Sequence, residues 1–424
     1  MLLRFSLYGF LKNQRYFEPF LVLAFLARGL SYTEIGLLIG FREICINVME
    51  IPSGAVADVT GRRRCMMISF GAYIASFAVF AYAGTLWPLL GAMLLFAAGD
   101  AFRTGTHKAM IFDWLAREGR SGEKTRVYGF TRSWSKIGSA VSVIVAAVLV
   151  FTVEVEGYRW VFLLSIVPYA ANLVNFLLYP KRLDGESSGR FSPRRIAATT
   201  WAGLRRSLRH RPLRRVLGES MAYEGVYKST KDYVQPLLKA AALGLPVLLW
   251  MDGRERTAVV VGGVYFVLFV AGSAASRHSY LVSEKARSDV RDALWLWAAT
   301  FTGFGVMAVG LAAGLPGVAV AAFVALALLQ NFWRPLIVGR VADQTDDKEA
   351  ATVLSVESQA KSLFAAVVAP LLGLAVDLSA GYVGPERKFL PVAALGLLVT
   401  GYMLLRGRRA VRREEAAARA EPPD

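Results

Sequence analysis

Charged side chains set inside long apolar stretches are the residues of this 424-residue chain best placed to do chemistry. On one stretch Glu224, Lys228 and Lys231 recur at i, i+4 and i+7, which is a single helical stripe. On another, Arg132 and Lys136 stand one turn apart, and Lys12, Arg15 and Glu18 crowd the middle of a third. Arg103, Arg334 and Lys361 interrupt three more. Charges in an apolar medium are costly, so they should face a water-filled cavity or a partner of opposite sign. Two chemistries fit. In one, Lys12, Arg15, Arg132, Lys136, Lys228, Arg334 and Lys361 hold an anion, the guanidinium fork matching carboxylate or phosphate. Tyr16, Tyr227 and Gln330 then add hydrogen bonds and stacking. In the other, acids and bases neutralise one another in interhelical pairs that open and close. A carried proton needs a carboxylate that is buried or held by a breakable cation. Glu18, Asp100, Asp113, Glu224 and Glu357 are the candidates. His107, His210 and His278 form no metal-ligand pattern, and neither a phosphate-cradling Gly-rich loop nor a nucleophile elbow occurs. No metal, cofactor or catalytic role is therefore expected.

The elements that carry these charges are long. The chain is 55% apolar and 19% charged, and the apolar residues gather in blocks of about twenty, enough to cross a bilayer core of roughly 30 Å. Twelve helices are predicted. They cover 3–30, 33–56, 65–83, 87–114, 127–153, 158–179, 213–237, 257–276, 293–313, 316–338, 350–377 and 389–405. Net charge +17 raises the question of a nucleic-acid partner. The basic residues sit in short bursts between apolar blocks rather than on one solvated face, which excludes that class. Cys45 and Cys65, the two cysteines, frame no disulfide scaffold.

Loop charge sets orientation. The even-numbered connections and the C-terminal tail hold thirty Lys and Arg against seven in the opposite loops. Positive residues favour the cytoplasm, so both termini should lie inside. The domains follow as a six-helix bundle over 1–180, a basic amphipathic linker over 181–212, a second bundle over 213–406 and a tail over 407–424. The linker resembles a basic amphipathic helix lying on the inner leaflet, and it serves either as a regulatory or partner site or as a topology signal and tether.

Phe102-Arg103 and Ser133-x-x-Lys136 recur as Trp333-Arg334 and Ser358-x-x-Lys361, with Asp113 and Asp343 between the pieces. This points to duplicated halves. Between the second and third predicted helices runs Gly54-x-x-x-Asp58-x-x-Gly61-Arg62-Arg63, preceded by Glu50-Ile51-Pro52-Ser53. The pattern resembles the loop signature of the major facilitator superfamily, a family of secondary transporters, and its place between the second and third spans agrees. The resemblance implies an all-α membrane fold of twelve helices in two pseudo-symmetric six-helix bundles, a midplane cavity and alternating access. It assigns Gly54, Asp58, Gly61, Arg62 and Arg103 to a cytoplasmic gate, although Arg103-Thr104-Gly105 compresses the usual fourth-helix spacing. The loop 277–292 keeps only a remnant of the signature. Gly138-Ser139-Ala140 stands where drug–proton antiporters carry a G-P-x-x-G-G pattern.

The expected function is transport of a small organic or amphipathic anion across a bacterial inner membrane. The alternative is a multidrug or cation exporter driven by proton antiport. The expected partners are a small-molecule substrate, a coupling proton and anionic lipid headgroups, with no nucleic acid, and the expected state is a monomer.

Overall fold

The computed structural model describes the chain except 154–156, 185–204, 206–208, 245, 247, 286–289, 343, 345–346, 382–383 and 421–424. At several further helical positions, 54, 55, 58 and 59 among them, only the backbone is described. Helices dominate, and no strand occurs among the described residues. In chain order they are α1 (Leu2–Lys12), α2 (Leu21–Ala27), α3 (Tyr32–Thr60), α4 (Arg62–Tyr82), α5 (Leu86–Arg103), α6 (Thr106–Arg117), α7 (Lys124–Thr152) and α8 (Gly157–Leu177). Then come α9 (Arg211–Thr230), α10 (Val234–Gly244), α11 (Gly253–Lys285), α12 (Val290–Ala312), α13 (Pro316–Ala342), α14 (Asp347–Ala380) and α15 (Leu390–Ala420). Among the described residues, nine helical segments are long and apolar enough to cross a membrane.

Contacts divide the chain into two compact units, Met1–Thr199 with Pro246–Phe269, and Thr200–Leu245 with Val270–Asp424. The first part of α11 thus packs within unit 1, where Gly262 leaves room for Ala147 of α7. Most of the 181–212 interval lies outside the described residues. Its first turn, Lys181–Asp184, is 3-10 helix.

Two expected spans are interrupted. The stretch 3–30 breaks after Lys12 and resumes as a 3-10 turn over Glu18–Phe20 and then α2. The stretch 213–237 breaks at the 3-10 turn Lys231–Tyr233 before α10. Proline supplies the reason in both: it has no N–H, and its ring clashes with the carbonyl four residues earlier. Pro19 would strike Arg15, and Pro236 would strike Asp232. The predicted fourth span also bends. α5 stops at Arg103, and Gly105 (φ +81°) takes a left-handed conformation that suits glycine before α6 begins.

Each unit has an aromatic core. In unit 1 Phe70, Tyr73, Phe77, Phe162, Tyr169 and Phe176 are fully buried, with Tyr73 and Tyr169 edge to face at 5.0 Å. In unit 2 Tyr223 stacks on Trp333 at 4.0 Å, and Trp297 meets Trp333 edge-on at 5.1 Å. Such pairs add about 0.5–1.5 kcal/mol beyond the area they bury, so they lock the helices from which the polar groups project.

Candidate functional site

The break in the first span positions the unit 1 site. A helix end leaves carbonyls and amides without intrahelical partners, and neighbouring side chains take them up. Asn13 Nδ2 donates to Gly9 O at 3.0 Å and to Ser135 O at 2.9 Å. Gln14 Nε2 donates to Gly138 O at 3.2 Å, and Tyr169 OH donates to Lys12 O at 3.1 Å. α1 and α7 approach closely because a glycine on each helix lies against the backbone of the other. A Cβ on Gly138 would overlap the Phe10 carbonyl, and one on Gly9 would lie 2.8 Å from the Thr131 carbonyl.

Between α1, the α5–α6 turn and α7 lies a cavity of about 390 Å³. Lys12, Arg103, Lys108, Arg132 and Lys136 line it, with Tyr8, Asn13, His107, Tyr128, Thr131, Ser135 and Ser139 as polar company. Among the described residues no carboxylate lines it. Aromatic faces hold two of the cations: Lys12 Nζ lies 5.8 Å from the Tyr8 ring centre and Lys108 Nζ 5.5 Å from that of Tyr128. His107 stacks on Tyr8 at 3.7 Å, and its Nε2 is buried without a hydrogen-bond partner.

Next to the cavity Arg103 belongs to a three-residue cluster. Its Nη2 is 2.8 Å from Asp100 Oδ1, and its Nε donates to Tyr73 OH at 3.1 Å. Tyr73 OH donates in turn to the same Asp100 oxygen at 2.5 Å. Arg15 and Glu18 approach to 3.9 Å across the break, and Tyr16 is half-buried in that turn. Asp113 pairs with Arg117 one turn on, at 3.1 Å.

Unit 2 handles its charges differently. Glu357 is fully buried and accepts from Ser220 Oγ at 2.6 Å, Arg334 Nη1 at 2.7 Å and Lys361 Nζ at 3.4 Å. Lys361 also lies 3.7 Å from Glu224 Oε2, to which Gln330 Nε2 donates at 3.4 Å. Lys228 Nζ donates to Ser362 Oγ at 2.8 Å, and Tyr227, its neighbour in the chain, is half-buried. A second buried group, Glu219 with Arg340 at 2.6 Å and Arg215 at 3.0 Å, was not anticipated.

The repeat explains the contrast. Arg132-Ser133-x-x-Lys136 in α7 answers to Glu357-Ser358-x-x-Lys361 in α14. The same helical position is cationic in one half and anionic in the other, so Lys361 has an i, i+4-type carboxylate neighbour where Lys136 has Arg132. Lys12, Arg132 and Lys136 form no ion pair among the described residues, whereas Arg334 and Lys361 do.

At the signature loop, Gly61 has φ +94° and Arg62 opens α4. The side chains at 54 and 58 lie outside the described residues, as does Asp343. Asp184, which spacing alone did not single out, accepts from the Arg63 amide at 3.0 Å. A Cβ on Gly61 would come within 2.9 Å of that carboxylate, so the turn needs glycine on both counts. Arg63 Nε donates to Phe176 O at 3.0 Å, tying the loop to α8. Tyr73, His107, Asn13 and Gln14 are the other functional-site residues not anticipated. For Asn13 and Gln14 the available signal was two amides in the middle of an apolar stretch. Among the described residues no group of His, Cys, Asp and Glu could hold a metal.

A family model described as Major Facilitator Superfamily matches residues 13–356. No curated relative matches the chain in sequence. Solved structures share its fold at low identity. A nucleoside transporter, NupG, superposes with TM-score 0.74 at 12% identity, over 96% of this chain and 97% of that one. A POT family transporter in complex with 5-aminolevulinic acid gives 0.71 at 14%, over 96% of each chain. A bacterial homologue of the human lysosomal transporter Spinster, inward-facing and unoccupied, gives 0.69 at 14%, also over 96% of each. The signature loop, the repeated helical pattern and the family match over most of its length agree that the chain belongs to the Major Facilitator Superfamily of membrane transporters.

Proposed function

We propose that this transporter moves a small organic anion across a bacterial inner membrane by alternating access, with both termini and the 181–212 linker cytoplasmic. The observation that carries the anion is the unit 1 cavity, lined among the described residues by five cations and no carboxylate. Charges in so polar a cavity need a counter-charge, and the substrate supplies it. Arg103 and Arg132 offer forks to a carboxylate or phosphate, while Lys12 and Lys136 act as point charges. Tyr8 and Tyr128 add stacking for an amphipathic body. In unit 2, Lys228, Tyr227 and Gln330 are that unit's own candidate substrate contacts, and the Arg334–Glu357–Lys361–Glu224 network is a set of pairs that rearranges during the cycle. Asp100 carries the coupling proton: protonation removes the charge that holds Arg103 and releases that guanidinium to the cavity. Gly61 and Arg62, with Gly54 and Asp58, act at the cytoplasmic gate, and the chain works as a monomer.

A thermal-shift screen of the purified protein against metabolite anions and lipophilic cations tests the reading, because a ligand of the native state raises apparent stability. Anions should stabilise it, and the best should then be taken up or released by proteoliposomes. One observation favours the second reading, a cation exporter driven by proton antiport. Glu224 Oε1 is buried without a hydrogen-bond partner, an acceptor that a cationic substrate would satisfy. Stabilisation by cations alone replaces the first reading with the second.

A further inference from the structure

His107 is the second residue of α6, and its ring lines the unit 1 cavity. The Gly105 turn delivers it there, because α6 begins directly after that left-handed glycine. Tyr8 stacks on the ring at 3.7 Å, and Phe5 and Phe176 meet it nearly at right angles at 5.5 and 6.2 Å. Only 7% of the residue is exposed. Such a setting holds an imidazole firmly and offers it no polar company. Its Nε2 is buried without a hydrogen-bond partner, and among the described residues the ring takes part in no hydrogen bond or ion pair. Buried polar atoms are nearly always paired, so an orphan in a cavity wall calls for a ligand atom. A half-turn about the Cβ–Cγ bond exchanges the ring's nitrogens and carbons within the same aromatic nest, which brings a nitrogen to the cavity face.

A neutral imidazole has one N–H and one bare nitrogen. A hydroxyl both donates and accepts, and so satisfies either one. An ammonium would also donate, but Lys12, Arg103, Lys108, Arg132 and Lys136 line the same space and repel it. Resting on the anion reading of this cavity, we infer that His107 hydrogen-bonds a hydroxyl carried by the transported anion. The substrate class is then the hydroxylated organic acids, and neither zwitterions nor plain carboxylates fit as well. The cations hold the charge, and the imidazole selects among anions by what each carries beside it.

Two sets of probes test this, each differing at a single carbon. Malate, succinate and aspartate carry a hydroxyl, a hydrogen and an ammonium on one skeleton, as do mandelate, phenylacetate and phenylglycine on another. Isothermal titration of the full-length protein in neutral detergent reads their affinities. In at least one set the hydroxy acid should bind wild type about tenfold more tightly than the plain acid. The ammonium compound should bind most weakly. His107→Phe keeps a ring against Tyr8 and removes both nitrogens. It should abolish the preference by weakening the hydroxy acid alone, with the plain acid unchanged. His107→Gln, which keeps a donor and an acceptor, should retain part of the preference. Melting temperatures check the fold, and His107→Met, a flexible apolar filler, replaces the phenylalanine variant should that one not fold. The inference is overturned if no probe binds, if hydroxy and plain acids bind wild type alike in both sets, or if an ammonium compound binds best. It is overturned equally if His107→Phe weakens both acids by the same factor, since the imidazole would then act on the anionic group and not on the hydroxyl. Anion binding without a hydroxyl preference leaves the anion reading of the cavity standing, whereas stabilisation by cations alone in the wider screen defeats that reading too.

Discussion

Arg334 Nη1 lies 2.7 Å from Glu357 Oε2, joining α13 to α14 through a carboxylate that no solvent reaches. Removing one partner of such a pair leaves the other buried without it, while removing both is far less harmful. Arg334→Gln should therefore lower stability by about 2 kcal/mol, the scale of one charge-assisted hydrogen bond, because Ser220 and Lys361 still serve Glu357. Arg334→Met with Glu357→Met should recover most of the loss. Thermal denaturation of both single variants and the pair measures the coupling. Additive losses would show that the contact is not what stabilises this face.

Arg132 has the opposite character. It lines the unit 1 cavity beside Lys136 and makes no ion pair among the described residues. Arg132→Gln should leave stability within about 0.5 kcal/mol of wild type, as substitutions away from structural contacts do. Affinity for an anion should fall about tenfold or more, the equivalent of roughly 1.5–3 kcal/mol. Thermal denaturation reads the first quantity, and isothermal titration with the best anion from the screen reads the second. A large stability loss with unchanged affinity would make Arg132 structural.

Much of this was legible from residue order, and the reasons for the remainder are physical. Apolar blocks mark the spans because the bilayer demands about twenty residues of each, and Gly54 to Arg63 marked the family loop. The breaks after Lys12 and at Lys231 were missed although Pro19 and Pro236 stood in view, since hydropathy averages over a proline. Charged residues inside spans were identified, but their pairing was not. Whether Lys361 meets Glu357 or a ligand depends on which helix face turns inward, and only packing decides that. Asp184 was invisible for a simpler reason: it acts on a loop 121 residues earlier in the chain.

Gly138 tests the close approach of α1 and α7. A methyl group there overlaps the Phe10 carbonyl, and backbone cannot step aside as a flexible side chain can. Gly138→Ala should cost about 1–3 kcal/mol, the usual penalty for overpacking. The Gln14 bond to the Gly138 carbonyl should weaken with it. Unchanged thermal stability would mean that the two helices separate freely.

Orientation is checked by labelling. Loop charge predicts a cytoplasmic 181–212 linker, so Thr200→Cys in a background with Cys45 and Cys65 replaced should resist an impermeant thiol reagent in intact cells. It should react once the membrane is opened. Rapid modification in intact cells would reverse the topology.

The last expectation concerns coupling. Asp100 accepts from Tyr73 and Arg103 on the same oxygen, at 2.5 and 2.8 Å, and Arg103 also lines the unit 1 cavity. A proton arriving at Asp100 removes the negative charge from this cluster, which weakens its hold on Arg103. Asp100→Asn imitates the protonated state permanently. Exchange of substrate across proteoliposomes, which needs no net proton movement, should continue, whereas accumulation driven by a pH gradient should stop. Tyr73→Phe is the control, since it removes a neutral donor worth about 1 kcal/mol and leaves the titrating group in place. It should lower stability slightly and keep the response to the gradient. Gradient-driven accumulation by Asp100→Asn at the wild-type rate would move the coupling role to another carboxylate, and Glu224 and Glu357 would be tested next by the same pair of assays.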